Sequence, residues 1–519
     1  MKILFIFPNK DQFGSKPISI SLLSAILKRQ GHKVELFDTS FIDFGYTDNN
    51  EDKKKLRIFH QVDWNGYDIS KKNISMEQEL IEKLNSFEPD IVSVSALSDE
   101  IYIGFEISKI VKQWNCTTPV IWGNKAATTE PDKVLSSKDV DYVCIGEGIE
   151  ALPEFIDCIE QGKDPQSIQN LAYHSENGAI IRNPLRPYFK DLDSLPFLDW
   201  SIYDKRHFFK PFDGKIIRGG DYTFAWGCPN KCTYCINTPY QELYGRQAGR
   251  YIRYYSVGRA IRELKYLKDT WGIQLFVFHD EDFSFKPMSY LKELSGAYRL
   301  YVNVPFSCMV NAKNITEEKV KLLKNMKCIS VSIGIETGNT ELRRNVLKRY
   351  ESVTDIIRAT KLFNKAGIRT SSFNMLGIPF ETRETIFETI EVNKKAEVRY
   401  PNCNFFFPYE GTELKEIAVK NGMFKSESDV YTNDKPALTL PGVSEEELIA
   451  LRERFVLYIK MPEKYHQFIE RSETKDEIGR RLTETLFDIY DKCVLANNGI
   501  WNDNGNGKMF LEELWKSLQ

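Results

Sequence analysis

Three cysteines stand within eight residues, in Cys228-Pro229-Asn230-Lys231-Cys232-Thr233-Tyr234-Cys235. The spacing Cys-x3-Cys-x2-Cys brings three thiolates onto one tight loop, which suits three corners of a cubane iron–sulfur cluster. Three ligands leave one iron open, and an open iron can bind and activate a small molecule. A tetrahedral zinc site would want a fourth ligand nearby. His279 and the other cysteines are far away in sequence, though the fold could bring one close, and structural zinc or coincidence are the alternatives at the level of spacing. The remaining seven cysteines (Cys116, Cys144, Cys158, Cys308, Cys328, Cys403, Cys493) are scattered singly, and most of them read as buried small hydrophobes. Clustered cysteines in a reducing compartment point to metal, not to a disulfide.

The elements that must position this loop alternate. Short apolar runs at residues 3–7, 33–37, 90–95, 119–122 and 142–145 predict strands, and 18–30, 76–87 and 104–114 predict helices, with a polar, poorly patterned stretch at 45–70. Strands interleaved with helices at this spacing indicate a parallel sheet covered on both faces. Ligands of such sheets sit beyond the carboxyl ends of the strands, here the loops 8–16, 95–99, 123–128 and 146–150. Residues 163–213 are rich in proline and read as a strap between two domains. From residue 221 the alternation resumes, with strands predicted at 222–225, 275–279, 305–309, 330–335, 369–375 and 403–407. Helices fall between them at 256–271, 316–324, 354–366 and 383–394. Six βα units predict an open or incomplete barrel, and the cysteine loop follows its first predicted strand, at the edge where such folds place chemistry. Beyond Gly411 the pattern is mostly helical, with a turn-rich segment at 497–508. The expected fold class is α/β: a Rossmann-like, doubly wound parallel sheet, a partial (β/α)6 TIM-type barrel, and a mostly helical carboxyl-terminal region. The expected division is 1–162, a strap at 163–215, 216–420 and 421–519.

Composition excludes several classes. With 42% hydrophobic and 28% charged residues the 519-residue chain reads as a globular protein of two to four domains, not a disordered one. A net charge of −3 offers no basic field for a phosphate backbone, and residues 421–519 carry 13 Lys and Arg against 18 Asp and Glu, so a nucleic-acid partner is not expected. No apolar run approaches the roughly 18 residues of a membrane span. The opening apolar run stops at Pro8 without a cleavage site and reads as a buried strand, so the expected location is cytoplasmic.

The cysteine motif resembles that of the radical S-adenosylmethionine (SAM) superfamily, in which a [4Fe–4S] cluster on three cysteines chelates SAM through its open iron and cleaves it to a 5′-deoxyadenosyl radical. The resemblance places Tyr234 near the adenine. It also implies SAM contacts for Asp280 and Glu281 of His279-Asp280-Glu281-Asp282-Phe283, where carboxylates can meet the SAM ammonium. Glu336, in Ser332-Ile333-Gly334-Ile335-Glu336-Thr337-Gly338, stands where the family's Glu bonds the ribose hydroxyls. Asn311 stands where many relatives carry an Arg facing SAM. Asn374-Met375-Leu376-Gly377-Ile378-Pro379 with Glu381-Thr382, and Pro408-Tyr409-Glu410-Gly411-Thr412, are similar to two further family segments, with Phe380 and Glu410 as departures. Gly377 is the SAM-site candidate among them, its glycine serving close approach or positive φ.

A doubly wound domain ahead of such a barrel resembles the cobalamin-binding class of radical SAM enzymes. Gly146-Glu147-Gly148 matches that class's Gly-Glu-Gly-Glu segment except at Ile149, and Gly123-Asn124-Lys125 stands where relatives show Gly-Gly-x-His. The resemblance thus implies a cobalamin site at Ser95, Ala96, Gly123, Asn124, Gly146, Glu147 and Gly148. The chain has no Asp-x-His-x-x-Gly, so a corrinoid would lack a histidine from that motif. The implied activity is cobalamin-dependent methyl transfer to an unactivated centre of a small molecule, with an external electron donor such as flavodoxin or ferredoxin. Alternatives are a radical rearrangement, cyclisation or C–C coupling without methyl transfer, a tRNA methylthiotransferase with a second cluster on Cys116, Cys144 and Cys158, and a cluster that only staples the fold.

Overall fold

The computed structural model describes residues 1–10, 14–44, 54–58, 62–72, 74–425 and 435–518; parts of the 45–70 stretch and of the 8–16 loop lie outside the described residues. A first sheet is built from β1 (Lys2–Phe7), β2 (Lys33–Asp38), β3 (Ile91–Ser95), β4 (Val120–Gly123) and β5 (Tyr142–Cys144), all parallel in the order β2-β1-β3-β4-β5. β3 is buried at every position because helices such as Ile18–Arg29, Ile101–Trp114 and Gly148–Glu160 cover the two faces. The strand order reverses between β1 and β3, which opens a crevice at the carboxyl edge.

The residues expected to form a strap are more structured than their proline content suggests. β6 (Leu171–His174) extends the first sheet antiparallel to β5, and β7 (Ile180–Arg182) pairs antiparallel to β6. β8 (Phe209–Phe212) forms a hairpin with β9 (Lys215–Tyr222), the first barrel strand. That strand lies upstream of the predicted 222–225. Gly219 and Gly220 look like a breaker in sequence but are required in place. A Cβ on Gly219 would lie 2.4 Å from the Lys210 side chain, and one on Gly220 would lie 2.7 Å from Trp200 and 2.9 Å from Phe276.

After β9 come the two-residue strands β10 (Ala225–Trp226) and β11 (Arg253–Tyr254), paired with each other around the cysteine loop. The second sheet continues with β12 (Leu275–Phe278), β13 (Phe306–Val310), β14 (Cys328–Glu336), β15 (Arg369–Leu376) and β16 (Tyr400–Phe405). Its order, β16-β15-β14-β13-β12-β9-β8, gives six parallel strands that curl without closing. The crossover helices start where Ser or Thr can cap them: Ser256, Thr316, Ser352 and Thr382 each accept a hydrogen bond from a first-turn backbone N–H.

The tail is helical, at Glu413–Lys420, Glu445–Lys460, His466–Ser472, Glu477–Cys493 and Gly507–Ser517. The Glu445–Lys460 helix covers the free edge of β16, an edge that would otherwise invite pairing with another chain. Arg452 lies over the Phe405 ring and donates to the Cys403 carbonyl at 3.4 Å. No described helix is long and apolar enough to cross a membrane.

Candidate active site between the two sheets

The cysteine loop is held by its own backbone before any metal enters. Cys235 N–H donates to Cys232 O, Gln241 Nε2 to Cys228 O at 2.9 Å, and Thr238 Oγ1 to Cys232 O at 2.9 Å. Gly227, at φ +92°, introduces the loop, and a Cβ there would lie 2.7 Å from the Tyr251 carbonyl, so only glycine fits. Burial pushes the Cys228 thiol up to about 12 and the Cys235 thiol up to about 11, and raises Cys232 against the pull of Arg349. Metal loading must therefore expel protons.

Beside this loop is a cavity of about 1540 Å³ of empty space, partly open to solvent. Its barrel wall includes Trp226, Gly227, Ile236, Asn237, His279 and Glu281, which flank the cysteines or end β12. Its other wall is the carboxyl edge of the first sheet, with Ser95, Gly123, Asn124, Lys125, Gly146, Glu147 and Gly148. On this wall Asn124 Nδ2 donates to Ser95 Oγ at 3.2 Å. Where a Cβ on Gly123 would point there is open space. The Glu147 carboxylate forms a two-point ion pair with Arg253 and also accepts from Phe189 N–H at 3.0 Å. It thereby ties the first sheet's loop to β11. Ala96 is wholly buried behind this wall, where its carbonyl accepts from Ala126 N–H.

Gly146 has φ +84°, and Tyr244 of the helix after the cysteine loop comes so close that its hydroxyl would lie 2.1 Å from a Cβ at 146. The same hydroxyl accepts from Glu147 N–H at 2.7 Å. Gly146→Ala is expected to push the two walls apart at a cost of about 1–3 kcal/mol from the strained backbone alone. Retention of the corrinoid that the sequence resemblance assigns to this wall should fall about tenfold or more, read as corrinoid absorbance left after desalting. The double change with Tyr244→Phe, which removes the clashing oxygen, should recover part of it.

The remaining residues singled out by sequence are distributed differently. Asp280 is turned inward, ion-paired with buried Lys286 and accepting from Phe224 N–H at 3.2 Å, whereas its neighbour Glu281 is exposed on the cavity wall. Asn311 caps the turn Ala312–Asn314, accepting from Lys313 N–H at 2.9 Å. Gly377, at φ +77°, donates its N–H to Glu381 Oε2 at 2.6 Å. Tyr234, within the cysteine loop, and Glu336, the last residue of β14, are not among the cavity's lining residues and meet at Arg349. There Arg349 Nη1 donates to the Tyr234 hydroxyl at 2.8 Å and lies 3.6 Å from Glu336 Oε1. Burial raises the Glu336 carboxyl against this cation.

Sequence reasoning missed His279, Tyr240, Tyr251, Arg253 and Lys125 as cavity residues. His279 had a signal, since it stands directly after a strand and begins the acidic run. Its Nε2 bonds to buried Asp221 at 2.8 Å, and Asp221 is also held by Lys16 at 3.0 Å and Lys210 at 2.8 Å.

Comparison with known proteins agrees with this architecture. The radical SAM superfamily model matches residues 222–392, and the B12 binding domain model matches residues 53–156. An uncharacterized methyltransferase of Pyrococcus horikoshii is 26% identical over 385 residues, which cover 73% of this chain and 80% of the relative. The anaerobic magnesium-protoporphyrin IX monomethyl ester cyclase of Rubrivivax gelatinosus is 22% identical over 441 residues, covering 82% and 72%. The structure of the radical SAM methyltransferase TsrM from Kitasatospora setae, solved with cobalamin and a [4Fe–4S] cluster, shares the fold at a TM-score of 0.60 and 17% identity, covering 82% of this chain and 76% of that one.

The chain is therefore a radical SAM enzyme, of the class that carries a B12-binding domain ahead of the barrel. Its cofactors are a [4Fe–4S] cluster, SAM and cobalamin. The residues present fit these groups in kind: three cysteines on one loop whose flanks line the cavity, an exposed Glu281 carboxylate on its wall, and an open glycine-lined crevice opposite.

Proposed function

We propose that the chain is a cobalamin-dependent radical SAM methyltransferase acting on a small molecule. The observation that carries this reading is that one cavity is walled both by the residues flanking the cysteine loop and by the carboxyl edge of the first sheet. When bound, the cluster and SAM supply a 5′-deoxyadenosyl radical and cobalamin supplies the methyl group. A common chamber suits the two because neither a radical nor a transferable methyl survives a journey through water.

In this reading Cys228, Cys232 and Cys235 hold the iron, and Glu281 receives the SAM ammonium in place of Asp280, whose oxygens are already engaged. Tyr234 and Glu336 orient the nucleoside from the end of β14. Asn311 and Gly377 shape the surrounding turns. Ser95, Gly123, Asn124, Gly146, Glu147 and Gly148 hold the corrinoid, with Ala96 as the packing behind them. Glu147 and Arg253 keep the two walls in register. Residues 421–519 close the barrel over the substrate, and the barrel spans 216–420. We place the reaction in the cytoplasm, with reduced flavodoxin or ferredoxin as the electron source.

The likeness to a cyclase favours one other reading, ring closure or rearrangement without methyl transfer. Protein reconstituted anaerobically with iron, sulfide and cobalamin, then given SAM and dithionite, separates the two. Methyl transfer requires S-adenosylhomocysteine alongside 5′-deoxyadenosine; 5′-deoxyadenosine alone rejects it.

A further inference from the structure

The turn between the first helix and β2 is closed by its own backbone. Gly31, at φ +94°, follows the helix Ile18–Arg29, its N–H donating to Lys28 O at 3.0 Å while His32 N–H donates to Leu27 O at 3.1 Å. This is the paired capping pattern that a glycine in the left-handed region allows. Lys33 N–H then donates to Met1 O at 2.9 Å and opens β2. His32 is thus fixed at the amino edge of the first sheet, and only 8% of it is exposed.

Its Nε2 is buried and makes no hydrogen bond to any described residue. A buried ring nitrogen without a partner is costly, so what faces it matters. Nε2 stands 4.0 Å from Asp157 Oδ1, beyond hydrogen-bond reach, and Glu160 brings a carboxylate oxygen within 4.8 Å of both. Asp157 and Glu160, three residues apart, share one face of the last turn of the helix Gly148–Glu160. That turn holds no basic residue, and the helix dipole already makes its end negative, so two carboxylates there call for a cation. The Met1 nitrogen supplies part of it, 3.4 Å from Glu160 Oε1 and 3.2 Å from His32 Nδ1. With the ring proton on Nδ1, beside that nitrogen, the Nε2 lone pair is left to the two carboxylates.

We propose that His32 Nε2, Asp157 and Glu160 form a binding site for one divalent cation of the zinc type, which pins the end of the Gly148–Glu160 helix to the start of β2. Two ligands of one zinc, each about 2.0–2.2 Å from it, stand roughly 3.3–3.6 Å apart. A small rotation of the two carboxylates, both about half exposed, closes the site around the fixed imidazole. Their open side leaves water for the fourth position. An imidazole with two carboxylates suits zinc better than magnesium or calcium, which take oxygen ligands. β1 runs from this edge of the sheet to the opposite one, roughly 16 Å away, so the ion takes no part in the chemistry of the cavity.

The test is equilibrium dialysis of the reconstituted holoenzyme against zinc, with zinc and iron counted on the same samples. Wild type should hold one zinc more than His32→Gln, with a dissociation constant in about the micromolar range or tighter. Asp157→Asn and Glu160→Gln should each weaken that binding about tenfold or more. Zinc should also raise the melting temperature of the wild type more than that of any variant. Zinc taken by Cys228, Cys232 and Cys235 in a chain lacking its cluster would be equal in all four proteins, so failure of the cluster assignment leaves the difference readable. Equal zinc in wild type and variants means adventitious binding only and overturns the proposal. So does the absence of any bound zinc, the Met1 ammonium then sufficing for the two carboxylates. If buried His32→Gln fails to fold, the two half-exposed carboxylate variants decide in the same way.

Discussion

Cys228→Ala is expected to abolish the cluster and, with it, the formation of 5′-deoxyadenosine under dithionite. Two thiolates cannot hold three corners of a cubane, and no other described cysteine belongs to the loop to replace the third. Loss of fold would be a competing cause, but the structure argues against it. Cys228 contributes its carbonyl to the loop by accepting from Gln241 Nε2, and alanine keeps that bond. The thiol is buried and removing one sulfur leaves a small void, so stability should change by about 1–2 kcal/mol or less. Iron and sulfide assays, the visible absorption of the anaerobic protein, and chromatography of the nucleoside products form the measurement. A variant that still carries four irons and cleaves SAM at the wild-type rate would remove the cysteine loop from the chemistry.

Asp221→Ala is expected to cause a large loss of stability. The carboxylate is 1% exposed and faces Lys16 at 3.0 Å, Lys210 at 2.8 Å and His279 Nε2 at 2.8 Å. Burial would raise its pKa, but these three partners hold it well below the usual carboxylate range. Lys16, also buried, is pushed down to about 8 by burial even with Asp221 beside it. Removing the carboxylate strands the Lys16 ammonium in the interior, where an uncompensated charge costs about 3–5 kcal/mol. That corresponds to a drop in the melting temperature of the barrel on the order of 10 °C.

Because the folded pKa of Asp221 lies below its unfolded value near 3.8, its contribution is fully present above that pH and is lost as pH falls through the depressed value. Lys16, between β1 and the helix Ile18–Arg29 of the first sheet, also donates to the carbonyls of His207 and of Gly219 in β9, both at 3.2 Å, so the variant should loosen the two sheets as well. Thermal melts of the wild type, Asp221→Ala and the double change with Lys16→Met provide the check. Removing both partners should recover a substantial part of the loss. A single variant that melts with the wild type would show that the buried charge group contributes nothing net.

What was readable along the chain was whatever depends on near neighbours. The cysteine spacing is a property of one loop. The alternation of apolar runs with capped helices announces βα units because each strand and helix carries its own periodicity, and Ser256, Thr316, Ser352 and Thr382 cap within a turn of their own positions. The glycine turns at Gly146 and Gly377 were legible for the same reason.

Tertiary structure decided everything that turns on which surface meets which. Gly219 and Gly220 lie inside a strand because Lys210, Trp200 and Phe276 occupy the space a side chain would need. The proline-rich stretch supplies β6, β7 and β8 because two sheet edges were free to receive them. Asp280 and Glu281 are adjacent and chemically alike, yet Lys286 draws the first inward and leaves the second on the cavity. Arg349 lies 115 residues beyond Tyr234, and their hydrogen bond follows from the return of the chain after β14. A carboxylate or a guanidinium has no fixed role of its own; its role follows from the charges and carbonyls that the fold places within about 3–4 Å of it.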